Sequence, residues 1–448
     1  MKIKIANTNS TVRVDFLKKG SKNTPFGFTG KKGEIVISGK RLIVGINGVK
    51  TSDDWRVLGT KITTKLKAIK VKSATINVPK KCQAFVEGLQ LGDYEFTYKS
   101  EKKKSTLKTI NLVSKSNISK TVNKAITAAN AQCLTRDWVN TTPEDANSDT
   151  IERAVRKMFK GTDIVVDVYG EKELKKLNMN GHLAVNRASR HKAKTIKLTY
   201  TPKNFKKHIV AVGKGLTYDS GGLSIKPGNH MTTMKSDKAG AMTVWGLMKY
   251  LSKNGSKNKV TVYMGIAENM IDGSAYKPDD VLTMKNGKTV HVKNTDAEGR
   301  LVLFDNLCLA QDENKKIDAL YSLATLTGAE VYQFGEEAAG LVGFNDKMKK
   351  VIQKAGDKAG EIFMDAAFHK YMMDAVDDDL ADLSNTGTPN MGCQKAGLFL
   401  TKAITKKNKK KFTHIDIAGP AYTKKAWGYN PVGGTGFGVR TLIELVSM

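Results

Sequence analysis

The sequence predicts an α/β protein in two parts: a small amino-terminal α/β domain, and a larger carboxyl-terminal domain with a mixed, mostly parallel sheet flanked by helices. Short runs of alternating apolar and polar residues recur up to residue 113, and strand-like runs alternate with helix-like segments from residue 164 onward. A chain of 448 residues is long enough for one large or two ordinary domains. We therefore place a basic, non-catalytic domain at 1–113, a linking helix at 114–140 and the domain that carries the chemistry at 141–448.

The first domain is predicted to consist of short elements. The alternation over Met1–Asn7 is typical of a strand, and the segment from Asp53 to Ala68 has the spacing of a helix. Further strands are predicted at 35–37, 42–46 and 74–78, and a charged loop or hairpin at 99–104. This region has no cluster of acids or histidines suited to catalysis, so we look for the chemistry further along the chain.

The second domain follows a long predicted helix. Between residues 114 and 140 apolar side chains recur at helical spacing, and Thr141-Thr142-Pro143 ends the pattern. Beyond it the sequence predicts a helix at 150–159, a strand at 164–168 and another helix that starts near Glu171. The alternation continues with strands at 195–201, 208–213, 260–267 and 319–324, and with helices at 239–251 and 301–310. This order is typical of a largely parallel sheet covered by helices.

The charge of the chain is strongly positive and unevenly distributed. Of a formal net charge of +31, the first 120 residues contribute +18, from 26 Lys and Arg against eight Asp and Glu. Such a surface can bind DNA or other polyanions without sequence preference. The candidate contacts are the runs Lys18-Lys19, Lys31-Lys32, Lys80-Lys81 and Lys102-Lys103-Lys104. The alternative is a solvated lysine-rich surface, which the lack of aromatic residues among these runs favours.

Cysteine usage and hydropathy indicate a reduced, cytoplasmic setting. Cys82, Cys133, Cys308 and Cys393 are widely separated and show no C-x-x-C spacing, which argues against a disulfide scaffold or a thiolate zinc site. No run of about eighteen uncharged apolar residues exists, so no membrane span is expected. The amino terminus also lacks the apolar block of a secretory signal.

Two closely spaced acids mark the first candidate site. Asp296 and Glu298 lie in Asn294-Thr295-Asp296-Ala297-Glu298-Gly299-Arg300, between a strand end near Val290 and an apolar helix that starts at Leu301. Sites of α/β enzymes are commonly built at such strand-to-helix junctions. A tight turn can aim both carboxylates at one point, and two neighbouring anions then need a cation. The alternative reading is a solvated acidic turn.

A second set of polar residues follows the strand predicted at 208–213. Lys214 and Asp219 lie in a glycine-rich segment that permits tight turns and close approach of a ligand, but the Walker phosphate-binding pattern fails. Lys226 and Asp237 come next, and Asp237 precedes small residues that open an apolar helix. Taken singly, Asp237 could be a helix cap and Lys226 a surface lysine.

Taken together, these segments resemble the leucyl (cytosol) aminopeptidase family of two-metal exopeptidases. The sequence N-T-D-A-E-G-R-L, at 294–301, is the signature of that family and is intact here. The blocks G-K-G-x-x-x-D-S-G-G and M-K-x-D, and the lysine seven residues after the first aspartate, match it in order and spacing. Further matches are Glu268-Asn269-Met270, the segment 275–281, Ala324 to Ala329, the segment 381–387 and His414 to Gly419. The resemblance extends from about residue 140 to the end of the chain, and the first domain matches only weakly.

The resemblance implies a role for each of these polar residues. Asp219 and Glu298 correspond to carboxylates that bridge two divalent metal ions, Lys214 and Asp237 complete the tighter site, and Asp296 completes the more exchangeable one. Oxygen ligands suit Zn²⁺, Mn²⁺ or possibly Mg²⁺. A lysine binds metal only as a neutral amine, so the metal charges would have to lower its pKa from about 10.4.

The resemblance also implies catalytic and specificity residues. Lys226 corresponds to the ammonium group that polarises the scissile carbonyl, and Arg300 to the residue that holds a bicarbonate acting as general base. The pocket for the first side chain of the peptide corresponds to Met234, Thr325, Leu326, Thr327, Gly328 and Ala421. Lys238, Ala239 and Met242 replace residues that are usually Met, Gly and Ala, which changes packing beside Asp237 and leaves the ligands intact.

We therefore predict a metal-dependent aminopeptidase that removes leucine and other apolar residues from peptides with a free amino terminus. As in the family, a homohexamer is expected. One rival is another two-metal hydrolase such as a phosphoesterase, which predicts histidine ligands. None of the seven histidines falls in a zinc-binding pattern, and the single-zinc motif H-E-x-x-H is absent. The other is a polyanion- or DNA-binding protein, alone or as a second function, through the basic first domain.

Overall fold

The computed structural model describes residues 1–6, 10–22, 24–101, 105–387 and 390–448. Two compact units are present: the first contains Met1–Cys133 and Lys425–Pro431, and the second contains Leu134–Lys424 and Val432–Met448. Asn7, which ends the first predicted strand, and the run Lys102-Lys103-Lys104 lie outside the described residues.

The first unit is a small α/β structure. Its described elements are β1 (Lys2–Ile5), β2 (Val12–Leu17), β3 (Ile35–Ser38), β4 (Arg41–Gly45), α1 (Ser52–Ala68), β5 (Ser73–Asn77), α2 (Cys82–Leu91) and β6 (Thr109–Val113). The strands form one sheet in the order β1-β6-β5-β2-β4-β3, in which only β3 and β4 pair antiparallel. These bounds agree with the strands predicted at 35–37, 42–46 and 74–78 and with the helix predicted at 53–68.

Local sequence explains the first helix of this unit. Thr51 and Asp54 form a capping box: the Thr51 hydroxyl accepts from the Asp54 N–H at 3.0 Å, and Asp54 Oδ2 accepts from the Thr51 N–H at 2.8 Å. The helix then buries Leu58, Ile62 and Leu66 in a core shared with the sheet. This core of branched and aromatic side chains contains none of the predicted site residues.

The second unit begins within helix α3 (Ser119–Asn140). Its other described elements are α4 (Ser148–Phe159), β7 (Ile164–Tyr169), α5 (Glu171–Lys176), α6 (Asn180–Asn186), β8 (Lys194–Tyr200), β9 (His208–Asp219), α7 (Ala239–Asn254), β10 (Lys259–Asn269), β11 (Val281–Thr283), β12 (Thr289–His291), α8 (Gly299–Glu313), β13 (Ala319–Ala324), α9 (Gly328–Phe334), β14 (Ala338–Val342), α10 (Asp346–Ala359), β15 (Ile362–Asp365), β16 (Leu383–Ser384), α11 (Gly392–Thr401), β17 (Phe412–Asp416), β18 (Tyr422–Thr423), β19 (Gly433–Gly434) and α12 (Val439–Ser447). Short 3-10 segments occur at Gly228–Met231, Met234–Lys238, Lys370–Met372 and Lys406–Lys411.

A mixed eight-stranded sheet forms the centre of this unit. Its order is β15-β14-β17-β13-β9-β10-β8-β7, and the four central strands β17, β13, β9 and β10 are parallel. Antiparallel pairing occurs between β14 and β17 and at the β10-β8-β7 side. Helix α8 is buried along most of its length and packs its apolar side chains, including Leu301 and Phe304, in the core beside the sheet. The predicted fold class, a small α/β domain followed by a larger one with a mostly parallel sheet, is confirmed.

Two elements differ from their predicted bounds by five residues or more. The helix predicted from residue 114 begins at Ser119, because Asn117 Oδ1 accepts from the Ser119 N–H at 3.0 Å and so provides a local alternative to continued helix. Strand β9 does not end at Gly213 but continues to Asp219, so Lys214 and Asp219 lie on one strand. A Cβ on Gly213 would lie 2.5 Å from the carbonyl oxygen of Gly240, so this glycine permits close packing of α7 on the strand and makes no turn.

Hydropathy gives one further result. Among the described residues, no helix is both long and apolar enough to cross a membrane.

Candidate metal centre

The carboxyl ends of three neighbouring parallel strands of the second unit meet at one edge of the sheet. Asp219 is the last residue of β9, Thr325 directly follows β13, and Ala418 comes two residues after β17. A cavity of about 310 Å³ opens at this edge, where open α/β sheets bind their ligands. Its lining residues are Lys214, Asp219, Lys226, Pro227, His230, Met234, Ser236, Asp237, Asp296, Glu298, Thr325, Leu326, Thr327, Gly328, Val331 and Ala418.

The turn that precedes α8 delivers two acids to this cavity. Asn294 Oδ1 accepts from the Asp296 N–H at 2.8 Å, and the Ala297 N–H donates to the Asn294 carbonyl at 3.2 Å. Glu298 follows and immediately precedes the helix. Asp219, Asp296 and Glu298 each offer a carboxylate oxygen within 4.8 Å of the other two. The tight turn predicted before this helix is therefore present, and it brings both acids to one point.

Two lysines lie among these acids. Lys214 Nζ is 2.9 Å from Asp237 Oδ2 and 2.8 Å from Glu298 Oε1, and it donates to the Thr325 carbonyl at 2.9 Å. The Lys214 side chain is only 3% exposed.

The second lysine pairs with the other two acids. Lys226 Nζ is 2.9 Å from Asp219 Oδ2 and 2.6 Å from Asp296 Oδ1. Each ammonium group therefore connects two carboxylates that come from different segments of the chain.

The charges of this group do not balance. Four carboxyl groups face two ammonium groups in a buried site, so the acids outnumber the lysines by two. Burial lowers the pKa of Lys214, but the carboxylates of Asp237 and Glu298 outweigh this effect and raise it above its usual value. Burial raises the pKa of Glu298, and the neighbouring Asp219 raises it further against the opposing effect of Lys214. In a solvent-exposed ion pair the acid pKa would fall; here burial, together with the neighbouring acids, outweighs the two lysines.

The donor set fits divalent metal ions. Asp237 Oδ2, Asp296 Oδ1 and Glu298 Oε1 are buried, and they accept no hydrogen bond of acceptable geometry from any described residue although each faces a lysine ammonium group. Buried oxygens in native proteins normally have a partner. Hard divalent cations prefer carboxylate oxygens, and they would supply both the missing partner and the missing positive charge.

The segment that carries Asp296 is fixed by residues outside it. Ser224 and Thr295 exchange hydrogen bonds: Thr295 Oγ1 accepts from the Ser224 N–H at 2.8 Å, and Ser224 Oγ accepts from the Thr295 N–H at 3.1 Å. The Thr295 carbonyl accepts from the Tyr276 hydroxyl at 2.6 Å and from Asn269 Nδ2 at 3.1 Å. Asn269 Nδ2 also donates to Asp219 Oδ1 at 2.9 Å. One buried amide therefore orients acids from two separate segments.

Asp237 lies on the 3-10 segment before α7, and the Thr325 hydroxyl donates to its Oδ1 at 2.7 Å. Its neighbour Lys238 is fully buried and donates to the carbonyl oxygens of Thr141 and Lys235. Burial and the nearby Lys235 lower the pKa of Lys238 to about 7. Lys238 thus holds the backbone directly after α3.

Eleven of the thirteen predicted site residues line the one cavity, and Arg300 and Ala421 do not. Arg300 lines a neighbouring cavity of about 410 Å³ together with Lys293, Asn294, Thr386, Gly387, Gly392 and Lys395. Its Nη1 donates to the Asn385 carbonyl at 2.8 Å, and burial lowers its pKa to about 10. Ala421 is buried, and among the described residues it is Ala418, three positions earlier, that lines the cavity near Leu326.

Sequence reasoning missed several residues of the site. Pro227, His230, Ser236, Val331 and Ala418 line the cavity without having been predicted. Val331 lies one helical turn beyond Thr327 in α9, and a helical reading of the segment after the predicted pocket residues could have found it. Ser236 and Ala418 lie in segments that resemble the family, but the resemblance gave them no role. Pro227 and His230 lie in a segment without a periodic pattern.

The fold and the site together define a class of protein. Four acids and two lysines at the carboxyl edge of a parallel sheet form the centre of a metal-dependent α/β enzyme. Residues 133–443 match the catalytic domain of the cytosol aminopeptidase family, and residues 27–102 match its amino-terminal domain. The chain belongs to the cytosol aminopeptidase family. It is accordingly a metal-dependent aminopeptidase, a hydrolase that uses divalent metal cofactors and acts on peptides.

Individual relatives agree with this assignment. The chain is 40% identical over 440 residues to a probable cytosol aminopeptidase of Campylobacter jejuni and 39% identical over 432 residues to one of Helicobacter hepaticus, in each case covering 94% of this chain and 90% of the relative. Among solved structures it resembles the bottromycin maturation enzyme BotP in complex with Mn, with a TM-score of 0.91, 28% identity and coverage of 98% and 99%. It also resembles a mutant of tomato leucine aminopeptidase, with a TM-score of 0.89, 26% identity and coverage of 100% and 96%.

Proposed function

We propose that this aminopeptidase uses two divalent metal ions and prefers peptides that begin with leucine or another apolar residue. One observation carries the proposal: a single cavity has an acidic side, formed by Asp219, Asp296 and Glu298, and an apolar side that includes Leu326 and Val331. The acidic side suits metal ions and the positive amino terminus of a peptide, and the apolar side suits its first side chain.

The metal ligands that we propose are five side chains of this cavity. Asp219 and Glu298 would serve both ions, Lys214 and Asp237 would complete one site, and Asp296 would complete the other. The excess of acids over lysines, and the buried carboxylate oxygens that accept no well-oriented hydrogen bond from the described residues, support this set. The physiological ions are proposed to be Zn²⁺ or Mn²⁺, with Mg²⁺ as a third candidate. Because the Lys214 pKa is raised in the metal-free arrangement, metal uptake has to release its proton.

Bound divalent ions supply Lewis-acid assistance and lower the pKa of water toward neutrality. The chain itself contributes Lys226, whose ammonium group Asp219 and Asp296 hold at the cavity wall. We propose that this group stabilises the negative charge that develops on the oxygen of the scissile carbonyl. In the metal-free arrangement the carboxylates outweigh the effect of burial and raise the pKa of Lys226 above its usual value, which favours the ammonium form.

The proposed general base is a bicarbonate held by Arg300. The guanidinium group is anchored through Nη1 to Asn385, and its buried Nε has no hydrogen-bond partner among the described residues. The cavity beside it also contains Lys293 and Lys395. A small anion would satisfy both the free donor and the local positive charge.

Assembly, location and further partners are proposed from the names of relatives or from sequence. A homohexamer follows the family expectation, and a cytoplasmic location follows the relatives named cytosol aminopeptidases. Binding of DNA or other polyanions by the basic first unit stays a prediction from charge, and the comparisons offer no support for it.

Metal-free enzyme provides the test of this proposal. We expect it to hydrolyse leucyl-p-nitroanilide only after Zn²⁺, Mn²⁺ or Mg²⁺ is added back, with two ions bound per chain by mass spectrometry. The acetylated substrate, acetyl-leucyl-p-nitroanilide, is the matched control and should remain almost inert because it lacks the free amine. Full activity with one ion per chain would refute the two-metal mechanism. Equal rates on the acetylated substrate would refute the proposed anchoring of the amino terminus.

A further inference from the structure

Two buried carboxyl groups lie behind the apolar side of the cavity. Asp416 is the last residue of β17, Glu330 lies in the first turn of α9, and both are 0% exposed. Neither lines the cavity, and the mechanism above uses neither.

Asp416 connects two segments that form the cavity wall. Its Oδ1 accepts from the Leu326 N–H at 3.0 Å and from the Ala418 N–H at 3.2 Å, and its Oδ2 accepts from the Thr327 hydroxyl at 2.7 Å. Leu326 and Thr327 follow β13, whereas Ala418 follows β17, and all three line the cavity. One carboxylate therefore fixes the spacing between the two segments.

Glu330 makes a second connection between the same segments. Its Oε2 accepts from the Gly419 N–H at 2.7 Å, while its own N–H donates to the Thr327 hydroxyl, the amino-terminal cap of α9, at 3.1 Å. Burial and the neighbouring Asp416 raise the pKa of Glu330 to about 9. The raised pKa favours the protonated form of Glu330 at neutral pH. Burial raises the pKa of Asp416 as well, against the opposing effect of its three hydrogen-bond donors.

We propose that Asp416, assisted by Glu330, is a positioning residue that sets the width of the pocket for the first side chain and thereby the substrate preference. The inference rests on the proposed function, in which this cavity holds that side chain. Asp416 accepts hydrogen bonds from the backbone N–H groups of Leu326 and Ala418, the residues that would touch the substrate. Apolar pockets discriminate between side chains by close packing, so a small displacement of one wall weakens the preference for a large residue.

The experiment compares kcat/KM for leucyl- and alanyl-p-nitroanilide in Asp416→Asn. The ratio of the two values does not depend on the fraction of enzyme that is active, so a simple loss of stability leaves it unchanged. We expect the leucine-to-alanine ratio to fall about tenfold, with metal content unchanged.

A matched control exists elsewhere in the same unit. Glu361 is a buried carboxylate that, like Asp416, accepts from two backbone N–H groups, those of Gly438 and Thr441, and from one threonine hydroxyl, that of Thr441. It does not line the cavity. Glu361→Gln should leave the leucine-to-alanine ratio at the wild-type value. An equal shift in both variants would mean general loosening and would overturn the proposal.

A direct change of the wall separates this inference from the proposed function. If Leu326→Ala leaves the ratio unchanged, the cavity does not hold the first side chain, and both proposals fail. If Leu326→Ala shifts the ratio and Asp416→Asn does not, only the role of Asp416 is refuted. Should Asp416→Asn fail to fold, Thr327→Val removes the hydrogen bond to Asp416 Oδ2, and an unchanged ratio in that variant would equally refute it.

Discussion

Gly299→Ala tests whether the site requires a residue without a side chain at position 299. Gly299 is the first residue of α8, and a Cβ at this position would lie 2.5 Å from both Cε and Nζ of Lys214. Atoms in favourable contact lie about 3.5–4.0 Å apart, so the lysine would have to move by about 1 Å or more. Lys214 Nζ lies 2.9 Å from Asp237 Oδ2 and 2.8 Å from Glu298 Oε1, and a shift of that size breaks at least one of these contacts.

The magnitude follows from two opposing effects. Alanine is favoured over glycine in a helix by about 1 kcal/mol, and by less at a first position. Forcing an extra methyl group into a packed site costs about 1–3 kcal/mol, and the displaced ammonium group also loses buried partners. We therefore expect Gly299→Ala to lower the free energy of unfolding of the metal-free enzyme by about 1–3 kcal/mol, and to reduce the number of bound metal ions.

Thermal unfolding and metal analysis by mass spectrometry measure these two effects. Gly328→Ala is the control, because Gly328 is also the first residue of a helix, α9, and no described atom lies within 4 Å of a Cβ placed there. That variant should be as stable as the wild type or slightly more stable. A Gly299→Ala enzyme with the stability and metal content of Gly328→Ala would refute the reasoning.

Two further predictions concern Lys226 and a histidine remote from the site. Lys226→Ala should lower kcat by a factor of about 10²–10³ with both metal ions retained, whereas Lys214→Ala should lose bound metal. Loss of metal in Lys226→Ala and its retention in Lys214→Ala would mean that the two roles are exchanged. Burial and the nearby Lys259 lower the pKa of His208 to about 4. Between pH 6.5 and 4 the unfolded chain therefore binds a proton that the folded chain does not, and the contribution of His208 to stability decreases as the pH is lowered. His208→Gln cannot titrate, and its free energy of unfolding should gain about 3 kcal/mol on that of the wild type over this range in urea titrations. A constant difference at all pH values would contradict the buried, neutral state of His208.

The sequence is informative where local patterns and tertiary structure agree. Period-two runs predicted β3, β4 and β5, and the helical spacing from Asp53 to Ala68 predicted α1, because each pattern has a local physical cause. For the two acids of the 294–300 segment, the sequence indicated a tight turn that can aim both at one point, with a solvated acidic turn as the alternative. The structure brings them within 4.8 Å of Asp219, which a turn alone could not have predicted.

The remaining features depend on neighbours that are distant in sequence. The glycines around Lys214 suggested a loop, but Gly213 packs against Gly240, a contact that no local window contains. The path of the chain after β17 determines that Ala418, and not Ala421, lines the cavity. Roles for Asn269 and Asp416 were not predicted, because their partners lie on other strands. These residues act through hydrogen bonds and carry no pattern of their own.

The bonds around Thr295 have a consequence for protein engineering. Its carbonyl and side chain are held by Tyr276, Asn269 and Ser224, which are 19, 26 and 71 positions away in the chain. The conformation of the 294–300 segment therefore depends on residues in other strands and loops. The seven residues would not keep this conformation in a different protein. Grafted onto another α/β scaffold, the segment would bring its two acids without their orientation. A successful transplant would have to carry the buried amide, the phenol and the serine as well.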